Sequence, residues 1–156
     1  DSRDKNLKVS RNILNDHKIH NDKVLYNKDI KLKCFRDNQF DHIISFFTLE
    51  HIPDIENFIL EIKRILKPRG SFIGSIPTEG GFLWGTGRYF TTYQWFKKHT
   101  YIDFYKIICW EHVNFADEIV KLLNHHFATL KSSFWPFKVS LIDLNITYSF
   151  ILHNND

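Results

Sequence analysis

Methionine is absent from all 156 residues, including position 1, which suggests that the sequence is a fragment. The two cysteines, Cys34 and Cys109, lie far apart without a Cys-x-x-Cys or His-Cys spacing, so neither a zinc knot nor a disulfide framework is predicted. No apolar run approaches the ~20 residues of a membrane-spanning helix, and the polar first residues are unlike a signal peptide. We therefore expect a cytoplasmic chain with two reduced thiols and no membrane insertion.

Strong charge of either sign is also lacking. The 21 basic and 18 acidic residues leave a net charge of +3, which is too small and too evenly spread to indicate nucleic acid or an anionic membrane as a partner. Hydrophobic residues make up 43% and charged residues 25% of the chain, as in ordinary globular proteins. The length predicts one domain with a sizeable core.

The middle of the chain predicts a β-α-β unit. His42–Phe47 is β-branched and aromatic without alternation, which is typical of a strand covered on both faces in a parallel sheet. Apolar residues then recur at helical spacing from Ile55 to Leu66, and Asp54 is placed to cap the free N–H groups. Ser71–Pro77 is a second strand, and the crossover between parallel strands is expected to be right-handed.

The flanking segments give weaker patterns. The polar stretch from Asp4 to Leu14 predicts a surface helix capped by its first residue, and Lys23–Tyr26 predicts a short strand. Later, a helix with Asn114 as its candidate cap precedes two strands, around Ala128–Phe134 and Asn145–Leu152. These last two strands are expected to form an antiparallel edge of the sheet.

Several short motifs follow one another from residue 27 to residue 77. The first is Asp29, followed twelve positions later by Asp41 in a Phe-Asp pair. The second is the turn Leu49-x-His51-x-x-Asp54. A helix that contains Glu61 and Arg64 comes next, and it is followed by the stop sequence Leu-Lys-Pro-Arg-Gly at Leu66–Gly70. As a set they resemble the second half of a class I S-adenosylmethionine-dependent methyltransferase, of the small-molecule, type 11-like branch. The resemblance is good over residues 22–77 and loose over the whole chain.

This resemblance implies an α/β, Rossmann-like sheet of strand order 3-2-1-4-5-7-6 with helices on both faces. The chain lacks counterparts of strands 1 and 2 and of the Gly-rich loop that follows strand 1, because its first glycine is Gly70. We therefore expect residues 1–156 to form one N-terminally incomplete domain, with roughly 60 to 100 residues missing upstream. An unpaired hydrophobic strand edge should result.

The resemblance also implies a site for S-adenosylmethionine at the carboxyl ends of the strands. The adenine is expected to contact Asp29 and the backbone of Ile30, and the ribose to contact Asp1 and Ser2. The methionine part of the cofactor is expected to contact Ser45 and Phe46. Asp29 can alternatively be a loop cap, and Asp41 is expected to hold the turn before the strand. The ribose role of Asp1 also stays open, since the strand that would precede it is not visible in the sequence.

Glu50 and His51 form an acid–imidazole pair after the first strand of the unit. Three interpretations of His51 stay open: a turn residue hydrogen-bonded to backbone, a general base for a substrate hydroxyl, or a residue that positions substrate or cofactor. Methyl transfer needs in-line approach to a sulfonium carbon, so positioning and exclusion of water can supply much of the rate without a base. His51 is our single catalytic candidate.

Residues 78–109 are interpreted as an insertion after the fifth strand of the family's sheet, beside the methyl donor. Seven aromatic residues crowd it without a clean period: Phe82, Trp84, Tyr89, Phe90, Tyr93, Trp95 and Phe96. They are either core or homodimer packing, or a lid over an apolar or sugar-like acceptor. In the second case Glu79, Arg88, His99 and His112 are the expected substrate contacts. No third ligand beside Glu111 and His112 is evident, so no metal site is predicted.

The predicted function is methyl transfer from S-adenosylmethionine to a small-molecule acceptor, most readily to oxygen and less so to nitrogen or carbon. The alternative is a catalytically inactive methyltransferase-like domain that serves as a binding or interaction module. A Gly-x-Gly loop upstream would favour the enzyme, and its absence from a complete reading frame would favour the module.

Overall fold

The computed structural model describes residues 2–18 and 32–154, and its contacts divide the chain into two units, Asp1–Lys31 and Leu32–Asp156. In the first unit, helix α1 spans Ser2–Asp16, which confirms the predicted surface helix. The helix begins before Asp4, so that residue lies in its first turn and is not its cap. The strand predicted at Lys23–Tyr26 lies outside the described residues.

The second unit is built on a four-stranded mixed sheet. Its strands are β1 (Phe40–Phe46), β2 (Leu66–Pro77), β3 (Ala128–Trp135) and β4 (Thr147–His153), in the spatial order β1-β2-β4-β3. β1 and β2 are parallel, whereas β4 runs antiparallel to both β2 and β3. This arrangement is the 4-5-7-6 half of the expected order, and it confirms the predicted fold class and the antiparallel late pair.

Helices α2 (Ile55–Ile65) and α6 (Ala116–His126) pack together beside the sheet. Each presents an apolar stripe of period 3.6 to one core. The buried members of this core from the helices and the sheet include Ile59, Ile62, Ala116, Ile119, Leu123, Phe72, Ile76, Phe150 and Leu152. α2 confirms the predicted crossover helix between parallel strands.

β2 begins at Leu66, where α2 ends, five residues earlier than predicted. Leu66 pairs with Phe40 across an irregularity in the β1–β2 ladder. Arg69 has a left-handed backbone, with φ of 61°, and its N–H donates to the carbonyl of Asn154 at 3.1 Å. The Lys-Pro-Arg-Gly sequence is therefore the irregular first part of β2.

Two further predicted helix caps, besides Asp4, are wrong. Asp54 stands at the N-cap of α2, but its Oδ2 accepts a hydrogen bond from the Asn57 side chain at 2.7 Å and from no helix backbone N–H. The N-cap of α6 is Phe115, and Asn114 turns its buried amide toward another segment. This amide donates to one buried and one partly buried carbonyl at once, whereas as a cap it would satisfy a single N–H, so the tertiary hydrogen bonds are favoured over capping.

The aromatic segment is helical. α3 (Phe82–Arg88), a π-helical turn (Tyr89–Tyr93) and α4 (Gln94–His99) follow without a break, and α5 spans Phe104–Glu111. A π turn inserts an extra residue and shifts the side-chain period, which explains why the aromatic residues show no clean repeat. None of the described helices is both long and apolar enough to cross a membrane.

β1 borders the sheet and is covered on one face. Within residues 2–18 and 32–154 its ladder partner is β2. Ile43 packs against the core, whereas Ile44 and Phe46, which point the other way, are 63% and 57% exposed. The expectation of a strand covered on both faces is therefore wrong for the part of the chain that the structure describes.

Candidate functional site

β1 and β2 run parallel, so their carboxyl ends meet at one edge of the sheet, and the chain leaves each of them through a polar turn. After β1, a 3-10 turn at Leu49–His51 carries Glu50 and His51. After β2, Thr78 and Glu79 are buried. In open α/β sheets ligands bind at this end of the strands, so these two turns define the candidate site.

The loop between α5 and α6 connects the two turns. The backbone N–H groups of Val113 and Asn114 donate to the carbonyl of Glu50 at 3.0 and 3.3 Å, and Ala116 N–H donates to the carbonyl of Glu79 at 3.2 Å. The Asn114 side chain adds two bonds from Nδ2, to the carbonyl oxygens of Leu49 at 2.9 Å and of Ile52 at 2.7 Å. The loop thus fixes both turns in one geometry.

Five charged or titratable side chains meet around this loop, and we call them the acid–histidine cluster: Glu50, His51, Glu79, Arg88 and His112. Nε2 of His51 lies 3.9 Å from a carboxylate oxygen of Glu50. The ring of His51 packs edge to face on that of His112, with centroids 4.6 Å apart. His112 contacts Glu79 through Nδ1, and Arg88 forms an ion pair with the other carboxylate oxygen of Glu79.

Burial shifts the pKa values of two side chains in the cluster, Glu50 and His112. Glu50 is 2% exposed and its Oε2 has no hydrogen-bond partner among the described residues, and this burial raises the pKa of its carboxyl group. Burial first, and the nearby ring of His51 second, lower the pKa of His112. A neutral His112 can present an N–H to the Glu79 carboxylate, which keeps the buried carboxylate solvated by polar groups.

A pocket of about 200 Å³ opens beside Glu79 and Arg88. Its walls are mainly aromatic and come from α3, the π turn, α5 and the residue before α6: Trp84, Tyr89, Tyr93, Phe104, Tyr105, Ile108 and Phe115. Gly80, Gly81 and Gly85 leave space on the remaining side. The pocket therefore has an apolar body and one charged end.

Of the predicted site residues, the structure brings together His51, Glu79, Arg88 and His112. Residue His99 is separate from them: it ends α4, its Nδ1 lies 2.8 Å from the carbonyl of Trp95, and its ring stacks on that of Trp95. No pocket-lining role is evident for it, since the walls come from other positions.

The predicted cofactor residues divide between the two units. Ser45 and Phe46 lie at the carboxyl end of β1, where Ser45 is opposite Gly74 of β2. Ser2 is the first residue of α1 in the other unit. Asp1, Asp29 and Ile30 lie outside the described residues. Their predicted roles stay predictions.

Sequence reasoning missed two features of the site. The first is Asn114, which is predicted to cap a helix and instead donates hydrogen bonds to the turn after β1. Phe47, directly after β1, has a left-handed backbone with φ of 49° that a bulky residue rarely adopts. Its N–H donates to Ser75 at 2.9 Å. Such strain concentrates at functional sites, and no sequence signal marks it.

Metal binding finds no support in the described side chains, since no three or more of their His, Cys, Asp and Glu residues are arranged to hold an ion. The side chains of the acid–histidine cluster are proton donors and acceptors. The cluster can hold polar ligand atoms, or take up a proton, next to an aromatic pocket.

Comparison with known proteins agrees with this geometry. Residues 2–74 match the model of the methyltransferase domain family. The demethylmenaquinone methyltransferases of Listeria welshimeri and Listeria monocytogenes are 34% identical to this chain over 64 residues, which is 41% of this chain. The chain spans about a quarter of those relatives, 27% of their length.

Solved structures share the fold at low sequence identity. The PH0226 protein of Pyrococcus horikoshii has a TM-score of 0.61 at 16% identity, covering 94% of this chain and 66% of that protein. A provisionally assigned sarcosine dimethylglycine methyltransferase of Galdieria sulphuraria has a TM-score of 0.59 at 15% identity, covering 96% and 66%. The N-methyltransferase NodS of Bradyrhizobium japonicum, in complex with S-adenosylhomocysteine, has 0.51 at 16%, covering 83% and 53%.

The sheet order and these neighbours establish a class I methyltransferase fold. Within that fold, residues 2–74 match the methyltransferase domain family, in agreement with the resemblance that the motifs indicate.

Proposed function

We propose that the protein transfers a methyl group from S-adenosylmethionine to a small-molecule acceptor, most readily to an oxygen atom. The observation that carries this proposal is the acid–histidine cluster, which lies at the carboxyl ends of two parallel strands and beside an aromatic pocket. The family match and the methyltransferase relatives support it.

The carboxyl end of β1 suits the methionine part of the cofactor. Phe46 and Phe47 are exposed there, at 57% and 52%, and can cover an apolar chain. Burial leaves Glu50 with one carboxylate oxygen lacking a partner among the described residues, and such a group favours a cationic ligand group nearby. When bound, S-adenosylmethionine supplies a methyl group on a positively charged sulfur.

The chain's own residues then have three tasks. Glu79, Arg88 and His112 are the proposed polar contacts of the acceptor: Glu79 and Arg88 line the pocket, and His112 contacts Glu79. The aromatic walls keep water from the reacting atoms. We assign to His51, whose side chain is 45% exposed, the uptake of the acceptor's proton, with the carboxylate of Glu50 at 3.9 Å stabilising the resulting charge. Positioning of the acceptor is the alternative role for His51.

Calorimetry on the full-length protein tests the cofactor assignment. S-adenosylmethionine and S-adenosylhomocysteine should both bind, and Asp29→Ala should weaken binding at least several-fold, since losing a hydrogen bond to a buried partner costs ~1 to 3 kcal/mol. Asp16→Ala, on the exposed end of α1, is the matched control and should bind normally. Unchanged affinity in Asp29→Ala would refute the adenine role, and no binding by the wild type would refute the function.

The remaining expectations belong to the same proposal: one domain over residues 1–156, a cytoplasmic location and a homodimer formed through exposed aromatic residues. Sedimentation of the full-length protein tests the homodimer directly. If the protein is a monomer at micromolar concentration, homodimer packing is excluded as the role of the aromatic segment, and the role as a lid over the acceptor is favoured.

A further inference from the structure

The later part of the aromatic segment presents exposed apolar side chains together with lysines. We call this area the aromatic–lysine face, and its members are Lys97, Lys98, Tyr101, Ile102, Tyr105 and Lys106. We propose that this face binds the surface of an anionic lipid bilayer. The protein would rest on the bilayer, since none of the described helices is long and apolar enough to cross it. The inference concerns where the protein is held and does not depend on methyl transfer.

The members of the face lie close together where α4 gives way to α5. α4 ends at His99 and α5 begins at Phe104, so the face spans the connecting turn and the neighbouring helix ends. Lys98 and Lys106 each directly follow another member in the chain. The other four line one open groove: Lys97, Tyr101, Ile102 and Tyr105. The face is therefore one area of surface within the second unit.

The apolar part of the face projects into solvent. Tyr101 is fully exposed, and Ile102 and Tyr105 are 59% and 60% exposed. Grouped apolar side chains that stay exposed mark a contact surface. Tyrosine suits the border of a bilayer, because its ring can enter the headgroup region while its hydroxyl group stays hydrated. Ile102, between the two tyrosines in sequence, can enter the boundary with the acyl chains.

Positive charge accompanies these side chains. Among the ion pairs between described residues, none involves Lys97, Lys98 or Lys106. Asp103 is the acidic residue of the stretch 97–106, and its Oδ1 accepts from the backbone N–H groups of Tyr105 and Lys106 at 3.0 and 3.4 Å. This carboxylate caps α5 and is turned toward the helix. The even spread of charge along the chain thus does not hold at this face.

An anionic bilayer complements both parts of the face. Each lysine near such a surface strengthens binding about five-fold, and the apolar side chains add to this attraction. A second copy of the chain fits less well, because a two-fold interface brings the same patch of both subunits together and would set lysines against lysines. A homodimer would therefore use other exposed aromatic residues, such as Phe82 and Phe90.

The face also borders the aromatic pocket. Tyr93, Phe104 and Tyr105 line both the groove of the face and the pocket beside Glu79. A bilayer bound on the face would therefore lie next to the pocket.

Flotation of the full-length protein with lipid vesicles tests the inference. One set of vesicles is phosphatidylcholine alone, and the other contains equal amounts of phosphatidylcholine and phosphatidylglycerol. We expect binding to the anionic vesicles to be roughly ten-fold or more tighter, and to weaken as salt is raised, because salt screens the attraction. Equal binding to both sets, or no binding to the anionic set, would overturn the inference.

Lysine substitutions locate the binding surface. Lys97→Gln combined with Lys106→Gln should weaken binding to the anionic vesicles roughly ten-fold or more. Lys121→Gln combined with Lys131→Gln is the matched control, since it removes the same charge from two exposed lysines on α6 and β3. The control should weaken binding much less. Equal losses in the two variants would show that net charge alone attracts the protein and would overturn the assigned face.

An apolar substitution tests contact with the bilayer itself. Ile102→Ser should weaken binding to the anionic vesicles roughly three-fold or more. Leu130→Ser is the control, because Leu130 is 62% exposed on β3 and Ile102 is 59% exposed. Equal affinities of the two variants would show that Ile102 does not enter the bilayer and would overturn the proposed face.

Two other results would assign the face to a different occupant and overturn the inference. One is tighter binding of single-stranded oligouridylate than of the anionic vesicles, lost in the variant that lacks Lys97 and Lys106. The other is a wild-type dimer that Ile102→Ser converts to a monomer. Binding of S-adenosylhomocysteine is measured separately, so the proposed function and the bilayer contact can fail independently.

Discussion

The imidazole rings of His51 and His112 meet edge to face, with their centroids 4.6 Å apart. One ring comes from the turn after β1 and the other follows α5. At this separation the two rings interact electrostatically, and the interaction adds to burial in lowering the pKa of His112. His112 is therefore held toward its neutral form.

Replacing His51 should change the titration of its neighbour. The ring of His51 is the second cause, after burial, that lowers the pKa of His112. His51→Gln should therefore raise the pKa of His112 while leaving it below its ordinary value of 6.5, which NMR of the imidazole resonances would measure. His125→Gln, on α6, is the control and should leave His112 unchanged. A fall in the pKa of His112 in His51→Gln would contradict the electrostatic coupling.

Glu50 should make stability depend on pH. Because burial raises its pKa in the folded protein above 4.5, its contribution to stability is fully present below the unfolded pKa and is lost as pH rises through the folded pKa. Glu50→Gln should remove this loss, so the urea unfolding free energy of the variant should fall less between pH 4.5 and 7 than that of the wild type. Parallel pH profiles for the two proteins would show that Glu50 is not perturbed.

Asn114 should be worth more than an ordinary surface amide. Asn114→Ala leaves the buried carbonyl of Leu49 and the partly buried carbonyl of Ile52 without their donor, which should lower the free energy of unfolding by ~1 to 3 kcal/mol. Asn57→Ala is the matched control, since its amide bonds to the exposed Asp54 side chain, and it should change stability by less than ~0.5 kcal/mol. Urea denaturation measures both, and equal losses would mean that the two hydrogen bonds of Asn114 contribute no more than that of an exposed amide.

Gly74 is required where β2 passes between β1 and β4. A Cβ atom there would lie 2.5 Å from the Phe150 ring and 2.6 Å from the carbonyl oxygen of Ser45. Gly74→Ala should therefore destabilise the protein by ~1 to 3 kcal/mol through overpacking. Gly87→Ala meets nothing within 4 Å on a helix and should be neutral or stabilising by up to ~1 kcal/mol. Thermal denaturation compares the two, and a neutral Gly74→Ala would show that the strands can move apart.

Much of the fold could be predicted because its signals are local. The apolar period of α2 and the β-branched run of β1 each lie within a dozen residues, and both elements occur as expected. The aromatic segment could not be assigned in the same way. The π turn at Tyr89–Tyr93 shifts the side-chain period in mid-helix, so that no single repeat describes the segment.

The candidate site was predicted only as separate residues. Glu79 and His112 were both expected to be polar contacts, but nothing in their spacing indicates that their side chains meet. The Asn114 amide reaches Leu49 across 65 positions of sequence, and this contact depends on how α5, α6 and the strands pack. Long-range contacts of this kind follow from tertiary structure, which residue patterns do not specify one pair at a time.

The exposed face of β1 has a practical consequence for handling the protein. Among the described residues β1 pairs along one side, with β2, and it carries exposed Ile44 and Phe46, so it is a template for pairing with another chain. Self-association through this strand would compete with folding at high protein concentration. Loss of soluble protein on concentration would therefore reflect strand pairing and would say nothing about the chemistry of the site.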